Sequence, residues 1–301
     1  MSSRTALLKT FLSRGMANVL LAIRHETIYR YAESVTQSVQ ALRLSPRAEA
    51  RQRTLSWDIK APGRRSAQTD AHGNLMHLLT IEEPHREIRI VVSGMVETRE
   101  EFSVYAEPAA LSPLVYIPAT QLTAADDALR ALSTRALGAG FVAETVGRGQ
   151  LERLAETVCE AVSYRAGTTT VADTALSALQ RGEGVCQDQA HVFIACSRIA
   201  NIPARYVSGY LYAGENREVA SHAWVDVWLE SERNWVGIDV THHAPAGAQH
   251  CRLAVGRDYH DAAPVRGVRR GGGAEELEVN VSVSRPELPQ QESPHQESAQ
   301  Q

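Results

Sequence analysis

The chain has 301 residues, a formal charge of −4 and an apolar fraction of 44%. It is long enough for two domains with separate cores, and a charged fraction of 22% excludes a mostly disordered chain. A pI near 6.3 gives no support for nucleic-acid binding as the main task, and no apolar run has the length needed to span a membrane.

In residues 1–18, Arg14 interrupts the apolar portion and no small-residue cleavage site follows. This stretch is expected to be an unstructured extension rather than a signal peptide, with Met16 as an alternative start. From Leu20 to about Thr98 the pattern predicts strands. Ile23, His25, Thr27, Tyr29 and Tyr31 alternate with Arg24, Glu26, Ile28 and Arg30, and Leu55, Trp57 and Ile59 alternate with polar neighbours. Asp70-Ala-His-Gly-Asn74 predicts a turn, followed by extended runs Leu75 to Ile81 and Glu87 to Val96 separated at Pro84.

Prolines 108, 113 and 118 mark a connector. Thr123 is placed to cap a helix through Leu129 and Leu132, and Leu151, Leu154, Val158 and Val162 mark a second amphipathic helix. A third helix starts near Cys186, and three strands follow Pro203: Ala204 to Ala213, Ser221 to Glu230 and Asn234 to Thr241. Alternation at Leu277, Val279, Val281 and Val283 predicts one more. The fold class expected is α+β: a β-rich domain at 19–105, then an α+β domain at 106–284 with helices first and strands after, and a disordered tail at 285–301.

The chemistry centres on Arg181-Gly-Glu-Gly-Val-Cys-Gln-Asp-Gln-Ala-His191. Gly182 and Gly184 lead into Cys186, and an amphipathic segment from Ala190 to Ala200 follows, so the thiol falls on the first turn of a helix. There the free backbone N–H groups and the helix dipole favour a thiolate. A nucleophile also needs a base, an orienter for the base and donors for the oxyanion. His222 opens a strand that shares one face with Trp224, Asp226 and Trp228. Asp239 ends the next strand, and a hairpin around Glu230 to Asn234 would fold it back towards His222.

The order Gly-Val-Cys-Gln-Asp, His-Ala-Trp-Val, Trp-Val-Gly-Ile-Asp-Val-Thr resembles the transglutaminase-like superfamily, whose core is of papain type. Leu21-Ala-Ile-Arg-His-Glu-Thr-Ile-Tyr-Arg-Tyr31 and the Asp70 to Asn74 turn resemble the N-terminal β domain of its bacterial branch. The resemblance spans roughly Leu20 to Val283. It implies that Cys186 is the nucleophile, His222 the base and acid, and Asp239 the orienter. Gln189 and Val240 depart from the family pattern, where an aromatic residue and a proline are common, which puts substrate preference and the local strand ending in doubt. By the relation found in papain-like proteases, Gln180 is a candidate second oxyanion donor beside the Cys186 N–H, with Gln187 and Tyr164 as alternatives.

The resemblance implies an enzyme that acts on amide or peptide bonds through an acyl-cysteine, resolved by water in a peptidase or amidase and by an amine in a transglutaminase. Hydrolysis is the expectation; a non-catalytic binding module is the alternative of another class. Trp224 and His242 are candidate cleft residues. His242, His243, His250 and Cys251 match no common zinc spacing, so this stretch reads as a polar loop, and neither a metal nor another cofactor is expected. A metal-dependent hydrolase built on that loop is the third hypothesis. The expected partner is a peptide or protein substrate, with no nucleic acid and no membrane. Four cysteines without a C-x-x-C pair fit a reducing cytoplasm.

Overall fold

The structure, a computed structural model, describes residues 18–100, 111–214 and 221–286. The expected extension, apart from Asn18, and nearly all of the expected tail lie outside the described residues. The first part of the chain forms β1 (Val19–Leu42), β2 (Gln52–Lys60), β3 (Arg64–Thr69), β4 (Leu75–Ile81) and β5 (His85–Thr98). The alternation seen from Ile23 to Tyr31 is the first half of β1, which runs 24 residues. Its first half pairs with β5 and its second half with β4, both antiparallel. Tyr31, Val35, Leu42, Ile59, Ile88 and Ile90 fill the core on one face.

The second part begins with α1 (Asp127–Leu137) and α2 (Arg148–Ala161). Asp126, not Thr123, caps α1: its side chain accepts from the Ala128 N–H, while Thr123 closes a short 3-10 turn just before. Then come β6 (Ser163–Tyr164), α3 (Ala175–Arg181), β7 (Glu183–Gly184) and α4 (Cys186–Ile199). Strands β8 (Ala204–Leu211), β9 (Ser221–Leu229), β10 (Asn234–Asp239), β11 (Ala244–Pro245) and β12 (His250–Gly256) follow, in the sheet order β11-β10-β9-β8-β12. Helix α4 lies against this sheet and is buried nearly all round, with Val192, Phe193, Ile194 and Cys196 at no exposure. Burying each large apolar side chain contributes about 1.5–3 kcal/mol, so the helix that carries Cys186 is firmly seated.

A single-turn helix α5 (Tyr259–Ala262) leads to β13 (Val265–Gly271) and β14 (Glu275–Ser284). These two strands pair with β1, on the edge opposite β4 and β5. The strand expected around Leu277 to Val283 therefore exists, but it returns to the first sheet rather than extending the α+β part. Val281 and Val283 pack there beside Leu21 and Ile23.

The two sheets meet along β12. One edge of β12 pairs with β8, and the other would leave peptide groups unpaired. Side-chain amides of the first part cover it. Gln52 Oε1 accepts from the Arg252 N–H at 2.9 Å, and its Nε2 donates to the Arg252 carbonyl at 2.8 Å. Asn74, fully buried, does the same for Val255, accepting and donating at 2.8 Å. Gly73, at a φ of 77°, lets the Asp70 to Asn74 turn deliver that amide. Asn74→Ala would strand a buried N–H and carbonyl of Val255, and a loss of about 2–3 kcal/mol is expected in urea denaturation. An unchanged midpoint would contradict this role.

Candidate active site

Cys186 is the first residue of α4, so its N–H has no partner inside the helix. The start of α4 is held by Asp188, whose Oδ2 accepts from the Val185 N–H at 2.8 Å and from Thr169 Oγ1 at 2.7 Å. Asp188 thus caps the helix start. Gln189 is buried and ties the helix to its surroundings: Nε2 donates to the Val162 carbonyl at 2.9 Å, and Oε1 accepts from Thr241 Oγ1 at 2.7 Å. A residue so placed clamps α4 to the end of β10 and does not face a substrate.

His222 stands at the start of β9 and Asp239 at the end of β10, and the expected hairpin brings them together. His222 Nε2 lies 2.9 Å from Asp239 Oδ2. Cys186 is near enough to act on the ring, and Nδ1 is the ring nitrogen that Asp239 leaves free. Burial works against the charged imidazole, but the bonds and charges of Asp239 and Cys186 outweigh it and push the His222 pKa up to about 10.

The carboxylate serves more than one ring. His242 Nδ1 and His250 Nε2 each lie 2.9 Å from the same Asp239 Oδ2, and the His242 N–H donates to Oδ1 at 3.2 Å. Burial alone would raise the Asp239 pKa, yet bonds from His222, His242 and His250 hold it well below the usual carboxylate range. His250 was expected in a polar loop; it is instead the first, buried residue of β12. The dipeptide His250-Cys251 gives no strand signal, because a mixed run after Pro245 and Gly247 reads as irregular chain. The ligand atoms of His222, Asp239 and His250 lie within 4.8 Å of one another, a spacing a metal could use. However, His250 Nδ1 accepts from the Gly247 N–H at 3.2 Å, so the ring proton sits on Nε2. A ligating histidine needs the opposite arrangement, donating from its far nitrogen. These donors fit a hydrogen-bond hub better than a metal.

Trp224 does not line the cleft. It is fully buried and stacks beside His222 at 6.2 Å and 27°, with its edge towards His250 at 5.1 Å. The indole packs into the core with Val207, Ala246 and Val255. Gly209, opposite His222 in β8, makes room for it; a Cβ there would run into the Trp224 ring and the Cys251 carbonyl. Gly209→Ala is expected to cost about 1–3 kcal/mol in denaturant unfolding by overpacking, and an unchanged stability would sink this reading. Asp226, on the same strand face, is fully buried and bonded to Arg205 at 2.9 Å and to Arg252 Nη2 at 2.8 Å. It is part of a buried ion-pair cluster in the core.

His242 is 44% exposed in its side chain and edges a cleft of about 330 Å3 with Glu100, Pro245 and Gln249. Gln180 is exposed in the last turn of α3. Tyr164 lies opposite Gly184 in the β6–β7 pair, and its hydroxyl feels the charge of Cys186. Elsewhere on α4, His191 is buried and accepts from the Tyr259 N–H at 3.2 Å, while burial pushes the Cys196 thiol up to about 12.

Residues 21–97 match the bacterial transglutaminase-like N-terminal region, and residues 135–240 match the transglutaminase-like superfamily core. An uncharacterized protein of Mycobacterium leprae (strain TN) is 31% identical over 283 residues, covering 88% of this chain and 98% of that protein. The chain belongs to the transglutaminase-like superfamily. An uncharacterized protein of Mycobacterium tuberculosis (strain ATCC 25618 / H37Rv) is likewise 31% identical, over 274 residues, with 82% of this chain and 86% of that protein covered. Among solved structures, a Cytophaga hutchinsonii protein provisionally assigned as a cysteine protease shares the fold, with a TM-score of 0.72, 18% identity, and 90% and 92% of the two chains covered. The transglutaminase-like core thus accounts for the helix and the hairpin that hold Cys186, His222 and Asp239. Among the described residues no helix is long and apolar enough to cross a membrane.

Proposed function

We propose that the protein is a cysteine-dependent acyl-transfer enzyme that opens amide or peptide bonds and resolves its acyl-enzyme with water. The observation that carries this reading is His222, bonded through Nε2 to Asp239 Oδ2 with Cys186 near its ring. His222 takes the thiol proton, and Cys186 Sγ attacks the carbonyl carbon. The oxyanion forms at the start of α4, within reach of the Cys186 N–H, with the Tyr164 hydroxyl as second donor in preference to Gln180. The imidazolium then protonates the leaving amine, the C–N bond breaks and the acyl group stays on sulfur. Water attacks next, giving its proton to His222, and the thiol leaves.

Hydrolysis is favoured over amine transfer by the surroundings of the triad. An amine acceptor that outcompetes water needs a dry apolar tunnel. Trp224 and Trp235 are buried, Trp228 packs on Trp235, and the cleft beside Asp239 carries Glu100, His242 and Gln249. The substrate class is a peptide or protein. A cytoplasmic setting is supported by four cysteines that are all unpaired.

The test is a peptide library incubated with and without a primary amine, using wild type and Cys186→Ala. Free carboxyl products unaffected by the amine, and none from Cys186→Ala, are expected. Amine-bearing products in excess would replace hydrolysis by transfer, and activity retained by Cys186→Ala would end the cysteine mechanism.

A further inference from the structure

We propose that His250 is a positioning residue for the reaction: as a neutral Nε2–H donor it shares Asp239 Oδ2 with His222 and so sets how strongly that carboxylate holds the charged His222 ring. The proposal rests on the triad reading above.

The tautomer is the first support. A backbone N–H can only donate, so the Gly247 N–H at 3.2 Å requires a bare Nδ1 on His250, and the proton must stand on Nε2, 2.9 Å from Asp239 Oδ2. Location is the second. His250 is 6% exposed, between Trp224 and His222, whereas His242 has an exposed side chain that can exchange its bond for water. Burial disfavours the charged form of His250 and outweighs the attraction of Asp239. It therefore donates a proton in a hydrogen bond without adding a charge.

The loop before β12 is built to hold this arrangement, and its fasteners come from the ends of the first sheet's strands and the residues beside them. Arg51 Nη1 donates to the Ala246 carbonyl at 3.1 Å, Thr98 Oγ1 donates to the Ala248 carbonyl, and Glu100 Oε2 accepts from the Ala248 N–H at 3.2 Å. Together with Gln52 on Arg252, they fix where His250 enters the site. The N-terminal β structure thereby reaches Asp239 through one imidazole.

Sharing has a sign. A carboxylate that receives a neutral donor keeps less basicity for its other partner, so removing His250 strengthens the hold of Asp239 on His222 and raises the His222 pKa. The groups that face these rings are Cys186 from α4, Asp239 and His242 from the end of β10, Cys159 from α2 towards Asp239, and Arg51 towards His250.

The test is a pH titration of the histidine ring nitrogens by NMR in 15N-histidine-labelled protein, alongside alkylation of Cys186. In wild type, His250 is expected to show a protonated Nε2 and a bare Nδ1 at neutral pH. In His250→Phe the His222 pKa is expected to rise by at least about 0.5. In His250→Gln, whose amide N–H replaces Nε2–H, it stays near wild type. A purely structural His250 would weaken both variants alike and leave the His222 titration unmoved. Wild-type His250 protonated at Nδ1, or a folded His250→Phe with unshifted His222, overturns the proposal, and the wild-type measurement decides it even if the variant does not fold. A wild-type Cys186 alkylated no faster than free cysteine overturns the triad reading instead.

Discussion

Replacing Cys186 by alanine is expected to lower turnover of a cleaved peptide by about 10^4-fold or more, because the proposed mechanism carries the acyl group on this thiol. The fold should survive the change. Cys186 is half-buried at the first position of α4, the start of that helix is secured by Asp188, and alanine is a good helix former. The other thiols offer no substitute. Burial pushes Cys159 up to about 12 and raises Cys251 as well, the first bonded to the Val240 carbonyl. Cys196→Ala, deep in the core, should leave the rate near that of wild type and cost only stability. Initial rates on a single library hit, with circular dichroism to verify folding, make the comparison. A Cys186→Ala protein within tenfold of wild type would remove the mechanism.

Asp239→Asn is expected to reduce turnover by roughly 10^3–10^4-fold, since the amide lacks the charge that stabilises the imidazolium and can hold the wrong tautomer. It should also change how stability depends on pH. In wild type the folded His222 has a pKa of about 10 against an ordinary value of 6.5. A group raised on folding adds stability in full below its unfolded pKa and loses it as pH climbs to the folded one. Wild-type unfolding free energy should therefore decline between pH 6.5 and about 10. Asp239, depressed on folding, gives the opposite limb: its contribution is present above the ordinary carboxylate range and is lost as pH falls below it. The two limbs describe one ion pair and are not to be added. In Asp239→Asn the alkaline decline should flatten, because Cys186 alone is then left to raise the His222 pKa against its burial. Urea denaturation across pH 6 to 10 reads this directly, and a decline as steep as wild type would show that Asp239 does not hold the ring.

Much of this site could be read from local sequence, for physical reasons that are easy to name. Glycines before an amphipathic run put Cys186 at a helix start, and the short link from Leu229 to Asn234 leaves β9 and β10 little choice but to pair. That pairing is local, so His222 and Asp239 could be matched in advance. What escaped is long-range. The return of β13 and β14 to β1 depends on contacts more than 200 residues apart, which no window of sequence registers. Likewise, β12 is recognisable only with its edge covered by Gln52 and Asn74. Without β12, His250 reads as loop. Trp224 misled in a different way, since alternation assigns a face but not whether that face meets solvent or the core.

In the proposed mechanism His222 and Asp239 make Cys186 a nucleophile. The most direct test is the second-order rate of iodoacetamide alkylation at pH 6, resolved by residue with mass spectrometry, in wild type and His222→Ala. At this pH a free thiol is almost wholly protonated and reacts slowly. Cys186 is expected to react at least about tenfold faster than free cysteine, ahead of Cys159, Cys196 and Cys251, and to lose that advantage in His222→Ala. A Cys186 no faster than free cysteine, or a rate indifferent to His222, would contradict that mechanism.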